Sequence, residues 1–489
     1  MAEVVVIGAG VGGLAAAARL AAAGHAVTVC EQADEVGGKL GIIQRDGFRF
    51  DTGPSLLTLP QVLRELFTAT GAPLEEVLEL TAVEPIARYR YADGTTFDAS
   101  ASLEEFCRRL DAALGAGSGE DWRAFLLRAE AIWEAVRGPF LESPLHGPLD
   151  LVRQAVRVRD LATIAPHRTL RGLGRRYLRD ARLRMFLDRY ATYTGSDPRR
   201  APAALASVPF AEQRYGAWYV PGGLHRLAEA LRDRARERGA ALRLGTDVTA
   251  VETAGGRVSG VRVAGGERLR ADLVVANADA AHLYRDLLPG RAGAAGRRAL
   301  TRAAPSLSGF VVLLAVERPP TGMAHHTVLF PADYDAEFDA LFGPRPEPVA
   351  DPTLYISAPR DPAVAPPGCA AWFVLVNAPR QGQVDWTAAR SSAYADRVVD
   401  LLAARGLDVR DRVRFREVLS PADLQRRTRA VGGAIYGTSS NGPRAAFLRP
   451  ANRSPVPGLY LVGGSSHPGG GLPLVLLSAR ITAELIGPA

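Results

Sequence analysis

The constraint that dominates this chain is at its start. Val4-Val5-Val6-Ile7 is a β-branched run of the kind buried in a parallel sheet, and it leads directly into Gly8-Ala9-Gly10-Val11-Gly12-Gly13. An alanine-rich stretch, Leu14 to Ala23, predicts a helix stopped by Gly24, and Ala26 to Cys30 predicts a second strand ending in Glu31. Gly8, Gly10 and Gly13 occupy the three key places of a GxGxxG turn: the tight turn, the close approach to a pyrophosphate, and the close helix–strand packing. The helix N-terminus then turns free N–H groups and a positive dipole end toward phosphate. Glu31 is placed to accept hydrogen bonds from the adenosine ribose, with Gln32 beside it. A GxGxxG alone is weak, whereas strand, glycines, helix, strand and terminal carboxylate in this order point to a dinucleotide-binding βαβ unit.

Composition narrows the function classes. Of the 59 basic residues only Lys39 is a lysine, so the net charge of +7 is an arginine charge without a lysine-rich arm, and it argues against nucleic acid. The three cysteines, Cys30, Cys107 and Cys369, form no CxxC pair, which leaves no metal site or disulfide framework to expect and fits a reducing cytoplasm. The apolar N-terminus lacks a basic leader and is broken by glycines, Arg19 and His25; no stretch is long enough to predict a spanning helix. Any membrane contact is therefore expected to be peripheral.

Further motifs specify the cofactor. Val36-Gly37-Gly38-Lys39-Leu40 follows the ribose carboxylate, Gly47-Phe48-Arg49-Phe50-Asp51-Thr52-Gly53-Pro54 comes next, and Trp218-Tyr219-Val220-Pro221-Gly222-Gly223-Leu224 leads into a predicted helix, Leu224 to Arg238. A β-meander is predicted from Val251 to Arg270, then a buried strand through Ala271 to Ala278 that includes Asn277. Gly458 to Leu472, read as GLYLVGGSSHPGGGL, predicts a strand running into glycines and a helix from about Leu472.

Together these segments resemble the carotenoid desaturase family of the flavin amine oxidase superfamily, in the bacterial phytoene desaturase manner. The GGSSHPGGGLP wording is most similar to the branch acting on hydroxylated or methoxylated carotenoids. The resemblance implies an α/β fold: a discontinuous Rossmann-like FAD-binding domain with a parallel sheet (1–80, 215–282 and 447–489) and a mixed α+β substrate domain (81–214 and 283–446). It further implies FAD held by Gly8, Gly10, Gly12, Gly13, Glu31, Gln32, Gly38, Lys39, Asp51, Gly53, Pro54, Val248, Asn277, Gly463, Gly464, Gly471 and Leu472. Two departures stand out: Ser466 replaces the family's common Thr, and Gly470 an Ala or Ser. The acidic residue that ends this strand in amine oxidases is absent, which turns the reading from amines toward polyenes.

A polyene offers no charge or hydrogen-bonding group along its length, so the expected chemistry is hydride transfer to the flavin with loss of a proton from the neighbouring carbon. No base is dictated; His467 is the visible titratable group of the C-terminal motif. With a single dinucleotide fingerprint, quinone or oxygen is the expected electron acceptor. Residues 149–193 alternate leucines with Arg168, Arg171, Arg175, Arg176, Arg179, Arg182 and Arg184, a pattern expected of a helical region lying on an anionic membrane. The alternatives left open are a flavin-dependent carotenoid isomerase or polyene saturase, and a non-catalytic prenyl-lipid-binding protein on the same scaffold.

Overall fold

The computed structural model describes residues 1–145, 163–443 and 445–489. β1 (Glu3–Ile7), α1 (Val11–Ala22) and β2 (Ala26–Cys30) form the expected βαβ unit, with β1 and β2 parallel. β3 (Ala241–Arg243), β4 (Leu273–Ala276) and β5 (Leu459–Leu461) complete a five-stranded parallel sheet in the order β5-β4-β1-β2-β3. Segments from the beginning, middle and end of the chain are thus adjacent strands of one sheet.

The unbroken valine run of β1 is explained by its two faces. Val4 and Val6 enter the core shared with α1, while Val5 and Ile7 enter a separate core with Val251, Val261 and Leu283. A strand covered on both faces has no solvent side and so shows no polar alternation. Burying each such side chain contributes about 1.5–3 kcal/mol. Ala15 to Ala18 of α1 are fully buried, and the missing side-chain bulk lets α1 pack directly on α2 (His225–Glu237) and α3 (Leu472–Ile486). The predicted meander forms as three antiparallel strands, Val248–Ala254, Arg257–Val263 and Arg268–Arg270, on the second face.

A mixed seven-stranded sheet is drawn from residues 87–99 and 308–419. A hairpin turning at Asp93-Gly94 pairs Ala87–Arg90 with Thr96–Ala99, and two apolar runs, Ser308–Glu317 and Cys369–Ala378, are antiparallel neighbours, second and third from one edge. Gly115-Ala116-Gly117 joins two helices as a turn. Ser118 and Gly119 already belong to helix Ser118–Val136, because Gly119 packs against Cys107 where a Cβ would lie 2.6 Å from a carbonyl oxygen.

The basic region differs from its sequence reading. Residues 149–160, with the first alternating leucines and arginines, lie outside the described residues. In the described part, Leu170, Leu173, Leu178, Leu183 and Phe186 are all buried in the main core, so the leucine periodicity is that of helices packing inward. Arg171 pairs with Asp188 and Asp335, Arg179 with Asp121, and Arg182 with Asp180 and Asp93, whereas Arg175 and Arg176 remain exposed. Among the described residues, no helix is long and apolar enough to cross a membrane.

Asp51 ends a short strand, Phe48–Asp51, and its two carboxylate oxygens accept from the N–H groups of Leu224 (2.7 Å) and His225 (2.9 Å). The acid of the F-D-x-G-P segment, expected among the residues that hold FAD, therefore caps α2. Asp51→Ala is expected to cost about 1–2 kcal/mol, the usual value of a lost N-cap, with Asp51→Asn costing less. Urea denaturation of both variants measures it.

Candidate flavin site

The phosphate cradle is built as its glycines require. α1 starts at Gly10 without a side-chain cap and with no acid in its first turn, and its first main-chain bond is Leu14 N–H to the Gly10 carbonyl. The N–H groups of Val11, Gly12 and Gly13 thus have no main-chain partner ahead of them, the arrangement that receives an anion. A Cβ on Gly13 would lie 2.1 Å from the Gly8 carbonyl oxygen, so only glycine permits this packing.

Glu31 is buried, with Oε2 accepting from Ala9 N–H (2.7 Å) and Oε1 from Ala33 N–H (2.9 Å). Burial raises its carboxyl above the usual range, opposed by these N–H groups. The carboxylate fixes the glycine turn, and its remaining lone pairs stay available to ribose hydroxyls. Glu31, Gln32, Glu35, Gly38, Asp247, Arg427 and Arg429 line a cleft of about 430 Å³ beside the turn. Gln32 is held in it from both ends, donating to the Arg427 carbonyl and accepting from Arg429.

The Gly37-Gly38 turn lies on the cradle: Gly37 N–H donates to the Ala9 carbonyl, and a Cβ on Gly38 would be 3.4 Å from Gly10 Cα. Lys39 Nζ donates to the carbonyls of Ala434 and Ile435, and burial lowers its pKa. Lys39 accordingly joins the N-terminal unit to the segment that precedes the C-terminal motif. Gly53 is required by the same packing, since its Cβ would meet the Lys39 carbonyl oxygen at 2.0 Å; Pro54 follows it, partly exposed.

Asn277, at the end of β4, is wedged between the glycine turns. Its Nδ2 donates to the Gly8 carbonyl (3.3 Å), and a Cβ on Gly10, Gly12 or Gly463 would lie 2.6–2.8 Å from its carboxamide. Gly12 faces Asn277, Gly463 and Val475, which makes it a packing glycine. Gly464 lies against Gly470, Leu472 is buried, and Gly471, at φ +102°, opens α3 with free space where a Cβ would point. α3 also lacks a side-chain cap, so it offers a second helix N-terminus. Val248 departs from expectation: it is buried in the core shared with Ile7 and Cys30, and its neighbour Asp247 reaches the cleft in its place.

His467 is fully buried. Its Nε2–H donates to the Ser143 carbonyl (2.9 Å), its ring meets Phe140 edge to face, and Nδ1 has no partner among the described residues. Burial lowers its pKa to about 4, so the ring is neutral at ordinary pH. This hydrogen bond fastens the C-terminal loop to the chain after helix Ser118–Val136. Arg449 supports the same loop from behind, donating to the carbonyls of Tyr436, Gly464 and Thr438, with burial lowering its pKa to about 10. Arg427, Arg429 and Arg449 were hidden from sequence reasoning by the arginine excess, and no motif spacing marks them.

Two uncapped helix N-termini, a glycine cradle that side chains would fill, and a buried carboxylate at the ribose position fit FAD, and define a flavin-binding oxidoreductase. The comparisons agree and specify the family. The chain belongs to the flavin-containing amine oxidoreductase family, whose model matches residues 11–487. It is 36% identical over 99% of its length to a 4,4'-diapolycopene oxygenase from Methylomonas sp (98% of that protein), and 33% identical to a 1-hydroxycarotenoid 3,4-desaturase from Flavobacterium sp. (99% of each). A hydroxyneurosporene desaturase from Rhodobacter capsulatus is 35% identical over 99% of this chain and 97% of that protein. Among solved structures, an oxidoreductase from Methanosarcina mazei matches with a TM-score of 0.66 at 18% identity, covering 99% of this chain and 100% of that one. A putrescine oxidase bound to putrescine matches with a TM-score of 0.62 at 17% identity, covering 99% and 98%. The protein is an FAD-dependent oxidoreductase.

Two outcomes test this site. Gly13→Ala is expected to abolish the flavin absorbance of the purified protein, because its Cβ must displace the Gly8 carbonyl. For His467, the folded pKa lies below the ordinary value of about 6.5, so below that pH the unfolded chain binds more protons. The stability it confers is complete above about pH 6.5 and is lost as pH falls toward 4. His467→Ala should lower stability at pH 7 yet flatten the acid limb by on the order of 3 kcal/mol, read from denaturation midpoints against pH. His325, with its pKa lowered to about 4 by burial, acts in the same direction and leaves a residual slope.

Proposed function

We propose that the chain is an FAD-dependent carotenoid desaturase that inserts C=C bonds into a polyene, with a hydroxylated polyene as the favoured substrate. The observation that carries this reading is full-length similarity, at 33% and 35% identity, to desaturases whose names specify hydroxylated carotenoids. The absence of an acidic residue in the GGSSHPGGGLP motif supports it, because a site for a cationic amine benefits from such a charge.

Bound FAD supplies the two-electron acceptor for hydride taken from an allylic carbon. The residues expected to hold FAD are the glycines of both loops, Glu31, Gln32, Asn277 through its support of the turns, and the cleft residues Asp247, Arg427 and Arg429. The chain's remaining task is to hold the reacting carbons still and keep water away. His467 contributes by fastening the C-terminal loop, and its neutral ring adds no charge beside a hydrocarbon. Quinone or oxygen is proposed as the final acceptor.

A substrate of this kind resides in lipid, so we include peripheral membrane association in the proposal. The exposed pair Arg175 and Arg176 is the feature to test, by flotation with anionic and neutral vesicles; equal flotation of the double Arg→Ala variant removes the pair from the reading.

The diapolycopene oxygenase relative supports a second reading, oxidation of a terminal methyl group. Incubation of the flavin-loaded protein with phytoene, lycopene, hydroxyneurosporene and diapolycopene separates the two. A red-shifted product lacking a hydrogen pair is expected; a product that gains oxygen establishes the second reading, and no turnover of any polyene overturns both.

A further inference from the structure

Arg189 is an unusual residue for a protein handling hydrocarbons. It lies in helix Ala181–Thr192, is 7% exposed, and makes no hydrogen bond or ion pair among the described residues. Its Nε is sealed without a partner. The guanidinium instead lies over the rings of Tyr193 (5.6 Å) and Tyr355 (5.4 Å). Such stacking compensates only part of the cost of taking a charge out of water, and proteins seldom leave a buried cation otherwise unpaired.

The neighbouring carboxylates are held by other donors. Asp188 pairs with Arg171, Glu337 accepts from Thr353 and Asn377, and Glu212 accepts from the Tyr190 hydroxyl (2.6 Å). Glu212 is buried, which raises its pKa to about 6, while the charge of Arg189 pulls it down. Tyr190, the donor to Glu212, packs on the Tyr193 ring that Arg189 covers, so carboxylate and guanidinium flank one pair of tyrosines. A donor and an acceptor separated in this way suit a ligand group that both accepts and donates a hydrogen bond.

The surroundings place this pair on an interior wall next to the flavin loops. Tyr193 and Tyr436 are both partly exposed, and Tyr193 packs edge to face on Tyr190 (5.3 Å). Tyr436 lies against Gly470 of the C-terminal motif, where an added Cβ would be 2.5 Å from its ring. Tyr355 shares a hydrogen bond with Ser55, which directly follows the Gly53-Pro54 segment, and another with His326 Nδ1.

We propose that Arg189 and Glu212 form a recognition site for a hydroxyl group at the end of the polyene, Arg189 donating to the oxygen and Glu212 accepting its proton. This rests on the desaturase reading and deepens it: the site selects hydroxylated over hydrocarbon polyenes and, by anchoring that end, determines which bond lies at the flavin. A carboxylate ligand fits less well, because Glu212 repels it.

The test is equilibrium binding, apart from turnover. Flavin-loaded wild type, Arg189→Met and Arg189→Lys are titrated with hydroxyneurosporene and with neurosporene in the same detergent micelles, and bound carotenoid is read by co-elution. Wild type should prefer hydroxyneurosporene by about 10- to 100-fold, the range of a hydrogen bond to a charged donor. Arg189→Met should lose that preference through weaker hydroxyneurosporene binding, and Arg189→Lys should keep part of it. Equal binding of both polyenes by wild type overturns the proposal and leaves the desaturase reading standing. A preference that survives in Arg189→Met, or equal weakening toward both ligands, also overturns it; if that variant does not fold, Arg189→Lys with full preference does the same. Binding of neither polyene by wild type overturns the desaturase reading itself.

Discussion

The fold depends on one small polar side chain, Asn277. Its carboxamide fills the gap between the N-terminal glycine turn and Gly463, and its N–H group satisfies the Gly8 carbonyl. Gly10, Gly12 and Gly463 are glycines in part because Asn277 is there: a methyl group at any of them would collide with it. The phosphate cradle is therefore a three-part structure, made where β1, β4 and the end of β5 meet. Lys39 and Arg449 extend the same logic outward, since each uses its charge to gather backbone carbonyls from loops distant in sequence. Charge-assisted bonds of this type are stronger than neutral ones and suit loops without regular structure.

Much of this was legible from the sequence because it rests on local rules. The β1–α1–β2 unit, the meander, the returning strand with Asn277 and the helix from Leu472 follow from β-branched runs, glycine positions and helix propensity. What the sequence concealed were long-range relations. Asp51 reads as a cofactor acid, but its partners are amides of Leu224 and His225, a long way along the chain. Val248 and Asp247 differ by one position, but the strand begins at Val248, whose side chain enters the core, while Asp247 just before it faces the cleft. Residues 170–186 carry a true amphipathic period, yet periodicity does not say whether leucines meet protein or lipid, and here they meet protein. Arginine's abundance also hid Arg189, which differs from Arg175 and Arg176 in being buried, a property its sequence position does not reveal.

The two halves of the site treat charge differently. Around the cradle, helix N-termini and half-buried arginines produce a positive field suited to phosphates. Away from the cradle, buried titratable groups are held uncharged, as with His467 and His325, or stacked on rings, as with Arg189. That division would suit a cofactor anionic at one end and the hydrocarbon substrate proposed above.

The order of strands in the parallel sheet has a consequence for biosynthesis. β5, Gly463 and α3 are translated long after β1 and α1, yet they complete the cradle that those elements begin. At typical elongation rates the N-terminal βαβ unit waits on the order of a minute on the ribosome with its cradle unfinished. During that interval Val5 and Ile7 lack the cover of the meander, and α1 lacks α3. Until α3 docks, the nascent chain leaves apolar surface of α1 open to aggregation.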